Sequence, residues 1–307
     1  MKALVTGGAG FIGSWIVDYL VEKGFDVSVL DNLSTGSLNN LKGMLKRKIY
    51  VADIRDKYTQ QVFEKERPDY VFHCAAEINV RESLRDPKKC IDVNVNGSFN
   101  LLENCVKYGV KKFIFSSTGG AIYGDGVKIP TPEGEKEKPA SPYGKSKLLL
   151  ENYLKYFKGS EELDYVSLRY ANVYGPRQNA KGEAGVVAIF IENLLSGKQS
   201  IINGDGSQTR DYVYVRDVAR ANLLASDDSV SGIFNVGTGI ETEVNEIYKK
   251  IIKILGLEVI AEHGPAIEGE QMRSCLDAER LMTLGWRLRY DLDFGLIETV
   301  NYFKKQN

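Results

Sequence analysis

The sequence predicts an α/β chain: a doubly wound parallel sheet covered by helices on both faces, with a smaller C-terminal region interleaved with it. Three observations carry this expectation. Short apolar strand signals alternate with helical patterns from the first residue, and a glycine triplet joins the first strand to the first helix. After about residue 170 the rhythm loosens, yet no Pro/Gly linker separates two independent domains.

The elements follow in order. Ala3-Leu4-Val5 is a short buried run ending in Thr6-Gly7-Gly8. Ile12, Trp15, Ile16, Tyr19 and Leu20 then recur at helical spacing, and Val27-Ser28-Val29-Leu30 forms the next strand, stopping at Asp31. Tyr70-Val71-Phe72 and Phe113-Ile114-Phe115 are further buried strands, separated by a helical stretch around residues 88–108. Gly, Asn and Asp cluster at 203–206 and again at 235–239, and between them residues 213–225 read as strand then helix. The pattern suggests a first domain over residues 1–170 with returning segments near 211–238. A second region comprises 171–210 and 239–307.

Composition narrows the function classes. The chain has 307 residues, 43% apolar and 26% charged, which suits an ordinary globular fold with ample core. Its net charge of −1 offers no electrostatic footprint for nucleic acid or an anionic membrane. No run is long and apolar enough to span a bilayer; residues 186–195 come nearest but contain Glu192 and Asn193. The apolar N-terminus after Lys2 is interrupted by glycines and Asp18, so it reads as mature protein rather than a signal peptide. Cys74, Cys90, Cys105 and Cys275 form no CxxC pair, so no metal site is expected and a reducing cytoplasm is the simple reading. With only His73 and His263 present, imidazole is not expected to carry the proton chemistry.

Gly7, Gly10 and Gly13 form a G-x-x-G-x-x-G turn between strand and helix, with Phe11 and Ile12 opening the helix. Glycines here permit a tight turn, close approach of a pyrophosphate, and helix–sheet contact, while the helix N-terminus favours phosphate. Asp31 ends the second strand where a carboxylate can accept both hydroxyls of an adenosine ribose and repel a 2′-phosphate. Together they point to a Rossmann-type site for NAD rather than NADP; the plainer alternative for Asp31 is a turn cap with Asn32.

Ser141-Pro142 is a good N-cap and first residue for a helix carrying Tyr143 and Lys147, which are four apart and share a face. A tyrosine hydroxyl is a poor base at neutral pH; half-ionising it near pH 7 takes about three pKa units, roughly 4 kcal/mol. A lysine ammonium and a nicotinamide cation are the right agents to favour phenolate. Ser116-Ser117-Thr118 runs out of a buried strand at the sheet edge where ligands bind, and one of its hydroxyls can bond the reacting oxygen; an ST-turn is the alternative.

These pieces, in this order, resemble the extended short-chain dehydrogenase/reductase family, and within it the UDP-glucose/UDP-galactose 4-epimerases. The similarity extends through Asp31-Asn32-Leu33, Asp53-Ile54-Arg55, His73-Cys74-Ala75-Ala76 and Asn94-Val95-Asn96-Gly97. It continues through Arg169-Tyr170-Ala171-Asn172-Val173-Tyr174-Gly175-Pro176-Arg177 and Thr209-Arg210-Asp211-Tyr212-Val213. The resemblance implies NAD as cofactor, a nucleotide sugar as substrate and a homodimer. It places Asp53 and Ile54 at the adenine, Ala75 and Ala76 along the ribose-phosphate path, and Asn94 near cofactor and catalytic helix. Tyr170 and Asn172 would lie between cofactor and sugar nucleotide, and Arg210 would hold the diphosphate. The dimer would form through helices near 88–108 and 142–158; Cys90, Val93, Leu101, Leu102, Cys105 and Val106 exceed what one sheet-facing stripe requires.

Two departures stand out. The position expected for the catalytic hydroxyl, counted back from Tyr123, is Gly119, so Thr118 is the first choice and Ser117 the second. Counting from Gly269-Glu270, Ile267 stands where an arginine is expected, so either Arg273 or Arg177 compensates or the nucleotide is gripped differently, and Ser274 falls at the pocket-gating position. Two rivals remain. A nucleotide-sugar 4,6-dehydratase or decarboxylase needs acidic residues after the hydroxyl, where Gly119 and Gly120 stand; a non-catalytic dinucleotide sensor would typically lack Tyr143 or Lys147.

Overall fold

The computed structural model describes residues 1–41, 48–180, 185–267 and 271–306. The Gly269-Glu270 pair used for counting lies outside them. Six strands, β1 (Lys2–Thr6), β2 (Asp26–Asp31), β3 (Ile49–Val51), β4 (Tyr70–His73), β5 (Lys112–Thr118) and β6 (Asp164–Tyr170), join the strand Gly232–Val236 in one sheet. The order is Gly232–Val236, β6, β5, β4, β1, β2, β3, every pairing parallel. The winding direction reverses between β1 and β4, creating the crevice at the carboxyl ends of the strands where such sheets bind ligands.

Side-chain alternation along the strands divides the core in two. Ala3, Val5, Phe72 and Ile114 face a cluster shared with Ile16, Val17 and Leu20 of the helix α1 (Phe11–Glu22) and with the helix Val215–Ala225. Leu4, Val71, Phe113 and Phe115 face the other side, against Phe63, Leu101, Leu102, Cys105, Leu150 and Leu154. A third cluster binds the helices Val186–Leu195, Val244–Leu255 and Leu292–Lys304 through Phe190, Ile247, Tyr248, Leu296 and Val300. This C-terminal region carries short ladders separate from the main sheet: Asn172–Tyr174 with Tyr212–Tyr214, and Thr209–Arg210 between Thr242–Glu243 and Arg273–Ser274.

The helix expected near 88–108 is interrupted. It runs as Pro87–Ile91, a π-helical turn Asp92–Asn96, then Gly97–Tyr108. The freed carbonyl of Asn94 is taken by the Ser98 hydroxyl at 2.6 Å. Single π turns recur at functional sites because they redirect one side chain; the one redirected here is Asn94. The apolar surplus expected to form a dimer face is largely spent inside the chain: Cys90, Leu101, Leu102 and Cys105 are fully buried and Val93 lines the cofactor cleft described below. The exposed apolar residues are instead Ile91, Leu149, Tyr153 and Tyr156 on the helices near 88–108 and 142–158, with Leu84 on the adjoining helix Val80–Arg85.

Candidate active site

A cleft of about 430 Å³ lies over the β1/β4 crossover. Gly7, Gly10, Phe11, Ile12, Gly13, Asp31, Asn32, Asp53, Ile54, Ala75 and Ala76 line it, with Tyr143, Lys147 and Tyr170 at its inner end. Gly7 adopts φ +67°, and a Cβ there would lie 2.6 Å from the Ala75 backbone nitrogen. A Cβ on Gly13 would overlap the Gly7 carbonyl, so α1 is pressed against the turn. Gly10 is different: a Cβ there would meet only the Gly7 oxygen, at 3.1 Å. As N-cap of α1, Gly10 offers no side-chain acceptor, so the first-turn N–H groups remain available to an anion.

Asp31 is buried and makes the turn contacts of the plainer reading while also lining the cleft. One oxygen accepts the Ala9 N–H at 2.9 Å and the other the Leu33 N–H at 2.8 Å, so it braces the glycine turn, closes its own turn and still lines the cleft. Asp53 accepts from Asn32 at 2.9 Å and from Arg55, whose guanidinium holds its carboxyl well below the usual range. Arg55 also bonds Asp92 at 2.5 Å, tying this end of the cleft to the π turn.

The catalytic helix Pro142–Ser160 starts as its sequence implies, Ser141 Oγ accepting the Gly144 N–H at 3.1 Å with Pro142 in the first turn. Lys147 is buried; its Nζ donates to the Ser116 carbonyl at 2.8 Å and lies 4.6 Å over the Phe115 ring. Burial pushes its pKa down to about 8. The phenol of Tyr143 differs from expectation. Burial dominates and raises it above its ordinary value, while a hydrogen bond with Thr118 lowers it. The chain alone therefore favours the neutral phenol, and phenolate formation needs a further positive charge in the cleft.

Thr118 and Ser117 are separated by their partners. Ser117 Oγ donates to the buried Glu151 carboxylate at 2.7 Å, whereas Thr118 faces Tyr143 from the end of β5. A second cleft, about 290 Å³, opens beyond this point, lined by Thr118, Tyr143, Tyr170, Asn172, Gln178, Val186, Val187 and Tyr212. The two clefts share Phe11, Ile12, Ile78, Ser117, Tyr143 and Tyr170, so the Tyr143 phenol stands where they meet.

Other expected residues are placed elsewhere. Asn94 does not line either cleft; it is buried, its amide spanning the Glu77 backbone at 2.8 and 2.9 Å and reaching Ser146 Oγ at 3.0 Å. It braces the cleft wall to the catalytic helix. Arg177 turns away to Asp18 at 2.6 Å and stacks 4.3 Å from the Trp15 ring. Arg273 is exposed and bidentate to Glu241, at 2.9 and 2.5 Å. In the ladder Arg273 pairs with Thr209 and Ser274 with Arg210, so Arg273 projects on the face opposite Arg210. Both guanidiniums expected to compensate at Ile267 are paired with carboxylates of this chain, Asp18 and Glu241. Ser274 is buried, its Oγ 3.2 Å from where a Cβ on Gly120 would be.

Sequence reasoning missed Cys74 and Ser116, which meet at 3.2 Å in the first cleft, and Gln178 in the second. The first two sit at carboxyl ends of strands, a positional signal that was available; Gln178 had none. A Cβ on Gly119 would lie 2.5 Å from the Leu276 side chain, whereas one on Gly120 would meet Ser274 Oγ at 3.2 Å.

Comparison with known proteins agrees with this geometry. Residues 3–237 match the model of the NAD dependent epimerase/dehydratase family. The UDP-glucose 4-epimerase of Mycolicibacterium smegmatis is 42% identical over the whole of both chains. The crystal structure of a UDP-glucose 4-epimerase with UDP-glucose from Thermotoga maritima is 50% identical, covers 100% of this chain and 99% of its own, and superposes with a TM-score of 0.96. That of the Thermus thermophilus UDP-glucose 4-epimerase in complex with NAD is 44% identical over 99% of each chain, with a TM-score of 0.93. A family match over residues 3–237, 42% identity over the whole of a relative and superposition at a TM-score of 0.96 place this chain in the NAD dependent epimerase/dehydratase family.

Proposed function

We propose that the chain is an NAD-dependent 4-epimerase of a UDP-sugar, interconverting UDP-glucose and UDP-galactose through a transient 4-keto sugar. The observation that carries this is the meeting of the two clefts at Tyr143, with Thr118 and Lys147 beside it. The residues present fit NAD: the uncapped α1 N-terminus and the open face of Gly10 suit the pyrophosphate, and Asp31 suits an unphosphorylated ribose. When bound, NAD⁺ supplies a reversible acceptor for the C4 hydride of the sugar.

The chain's own residues do the rest. Tyr143 takes and returns the proton of the sugar 4-hydroxyl, Thr118 bonds that oxygen, and the Lys147 ammonium favours phenolate. Asn172 and Arg210 hold the nucleotide while the keto sugar turns its other face. Gly119 and Gly120 leave no acid for a dehydratase, and the intact Tyr143/Lys147 pair argues against a sensor that has lost its chemistry. On this reading residues 1–170 with 211–238 hold the cofactor, and 171–210 with 239–307 the sugar nucleotide.

A homodimer is supported by the exposed Leu84, Ile91, Leu149, Tyr153 and Tyr156 on neighbouring helices, and light scattering showing a monomer at micromolar concentration rejects it. Four unpaired thiols suit a reducing, cytoplasmic setting. Among the described residues no helix is long and apolar enough to cross a membrane. The decisive experiment is conversion of UDP-galactose to UDP-glucose by purified protein, with Tyr143→Phe retaining NAD and losing at least about a hundredfold in turnover. Near-normal turnover in that variant moves the base elsewhere.

A further inference from the structure

The mechanism above leaves a buried charged cluster on the Tyr143 helix unused. Glu151 and Arg169 are essentially inaccessible. Glu151 lies one helical turn beyond Lys147 and two beyond Tyr143, on the same face of the helix. Its carboxylate accepts from Ser117 Oγ at 2.7 Å and Ser167 Oγ at 2.9 Å, and from Arg169 Nη2 at 2.6 Å. Arg169 also reaches Glu137 at 2.9 Å and lies 4.8 Å over the Tyr123 ring, yet its Nη1 finds no acceptor among the described residues. A buried ion pair with an orphaned donor is poor value for stability, since apolar residues of similar volume often do as well. What it does secure is position: it joins the catalytic helix to β5 at the residue preceding Thr118.

We propose that Glu151 is a positioning residue of the reaction, held by Arg169, which aligns the Ser117–Thr118 strand end and supplies the negative charge opposite Lys147. This rests on the epimerase reading above. The groups facing Lys147 support it. Tyr143 and Glu151 lie on its own helix, His73 and Cys74 at the end of β4, Cys90 on the preceding helix, and Ser116 and Phe115 on β5. Burial keeps His73 neutral, with its pKa down to about 3, and pushes the thiols of Cys74 and Cys90 up. Tyr143 is raised as well, and Glu151 is the one carboxyl group among these side chains.

The test pairs Glu151→Gln, which keeps the shape and removes the charge, with Ser117→Ala, which removes the link to β5 and keeps the ion pair. Lys147 is titrated directly by NMR of ¹³C-labelled lysine, and turnover of UDP-galactose is measured against pH. In Glu151→Gln the Lys147 midpoint should fall by about one unit, the low end for loss of one close opposite charge. Starting from about 8, this lowers kcat about fivefold near pH 8 and less than twofold near pH 6.5. Ser117→Ala should lower kcat several-fold with KM and the pH profile unchanged.

An unmoved Lys147 midpoint in folded Glu151→Gln overturns the charge role, and undiminished kcat in Ser117→Ala overturns the alignment role. If Glu151→Gln does not fold, Ser117→Ala decides the alignment role and Glu151→Asp, which draws the charge back by one methylene, replaces it in the Lys147 titration. A wild-type protein without turnover would instead refute the epimerase reading, while the NMR titration still reports on Glu151.

Discussion

Gly10 and Gly13 separate cofactor binding from folding, because the structure gives an added methyl opposite surroundings at the two positions. At Gly13 a Cβ would overlap the Gly7 carbonyl and lie 2.9 Å from both Gly7 C and Gly8 Cα. All three are backbone atoms of a turn that cannot retreat, so Gly13→Ala should cost about 1–3 kcal/mol, the usual range for overpacking. Gly10 has φ −75° and ψ −178°, which alanine adopts freely, and only one neighbour at 3.1 Å. Gly10→Ala should leave the stability of the NAD-free protein within about 0.5 kcal/mol. The methyl faces the space where a pyrophosphate approaches, so NAD affinity should fall at least about tenfold, near 1.4 kcal/mol. At NAD equal to about 100 times the wild-type Kd, the ligand stabilises wild type by about 2.7 kcal/mol and the tenfold weaker variant by about 1.4 kcal/mol. For a chain of this length these correspond to rises in Tm of about 4 °C and about 2 °C. Calorimetric melting with NAD removed and then added back reads both effects. An equal NAD-dependent rise in wild type and Gly10→Ala, or equal destabilisation by the two substitutions, would refute the assignment of the glycines.

Three further outcomes are expected. Asp31→Ala should narrow the preference for NAD over NADP and, by stranding the buried Ala9 N–H, cost about 1–3 kcal/mol; an unchanged cofactor ratio by titration would reduce Asp31 to its two backbone bonds. Lys147, with a folded pKa of about 8 against 10.5 ordinarily, binds fewer protons than in the unfolded chain between those values. Its charge therefore opposes folding below about pH 8, and this penalty is relieved as pH rises toward 10.5. Lys147→Met should raise stability at pH 7 by about 1–2 kcal/mol while abolishing turnover, and a lower melting temperature would contradict the burial argument. Ser274→Tyr should remove any activity on UDP-N-acetylglucosamine while sparing UDP-glucose. A wild type active on UDP-glucose alone would show that the buried Ser274 does not open this route.

Local pattern was enough for much of this protein. The apolar runs that became β1, β2, β4 and β5 and the helical spacing of α1 needed no distant partner to be read, because both faces of the sheet are covered and every strand must be apolar. The glycine turn, Asp31 and the Tyr143/Lys147 pair were legible for the same reason: each is set by one turn, strand end or helix repeat. Tertiary structure decided what side chains from separate segments do to one another. It gave Ser117 to Glu151 and left Thr118 to Tyr143, across 34 residues of chain in the first case. It committed Arg177 to Asp18 and Arg273 to Glu241, turned Asn94 into a brace behind the cleft, and raised the phenol that Lys147 was expected to lower. A guanidinium or carboxylate takes whichever opposite charge and dielectric the fold brings within a few ångströms, and those are fixed by packing between elements remote in sequence.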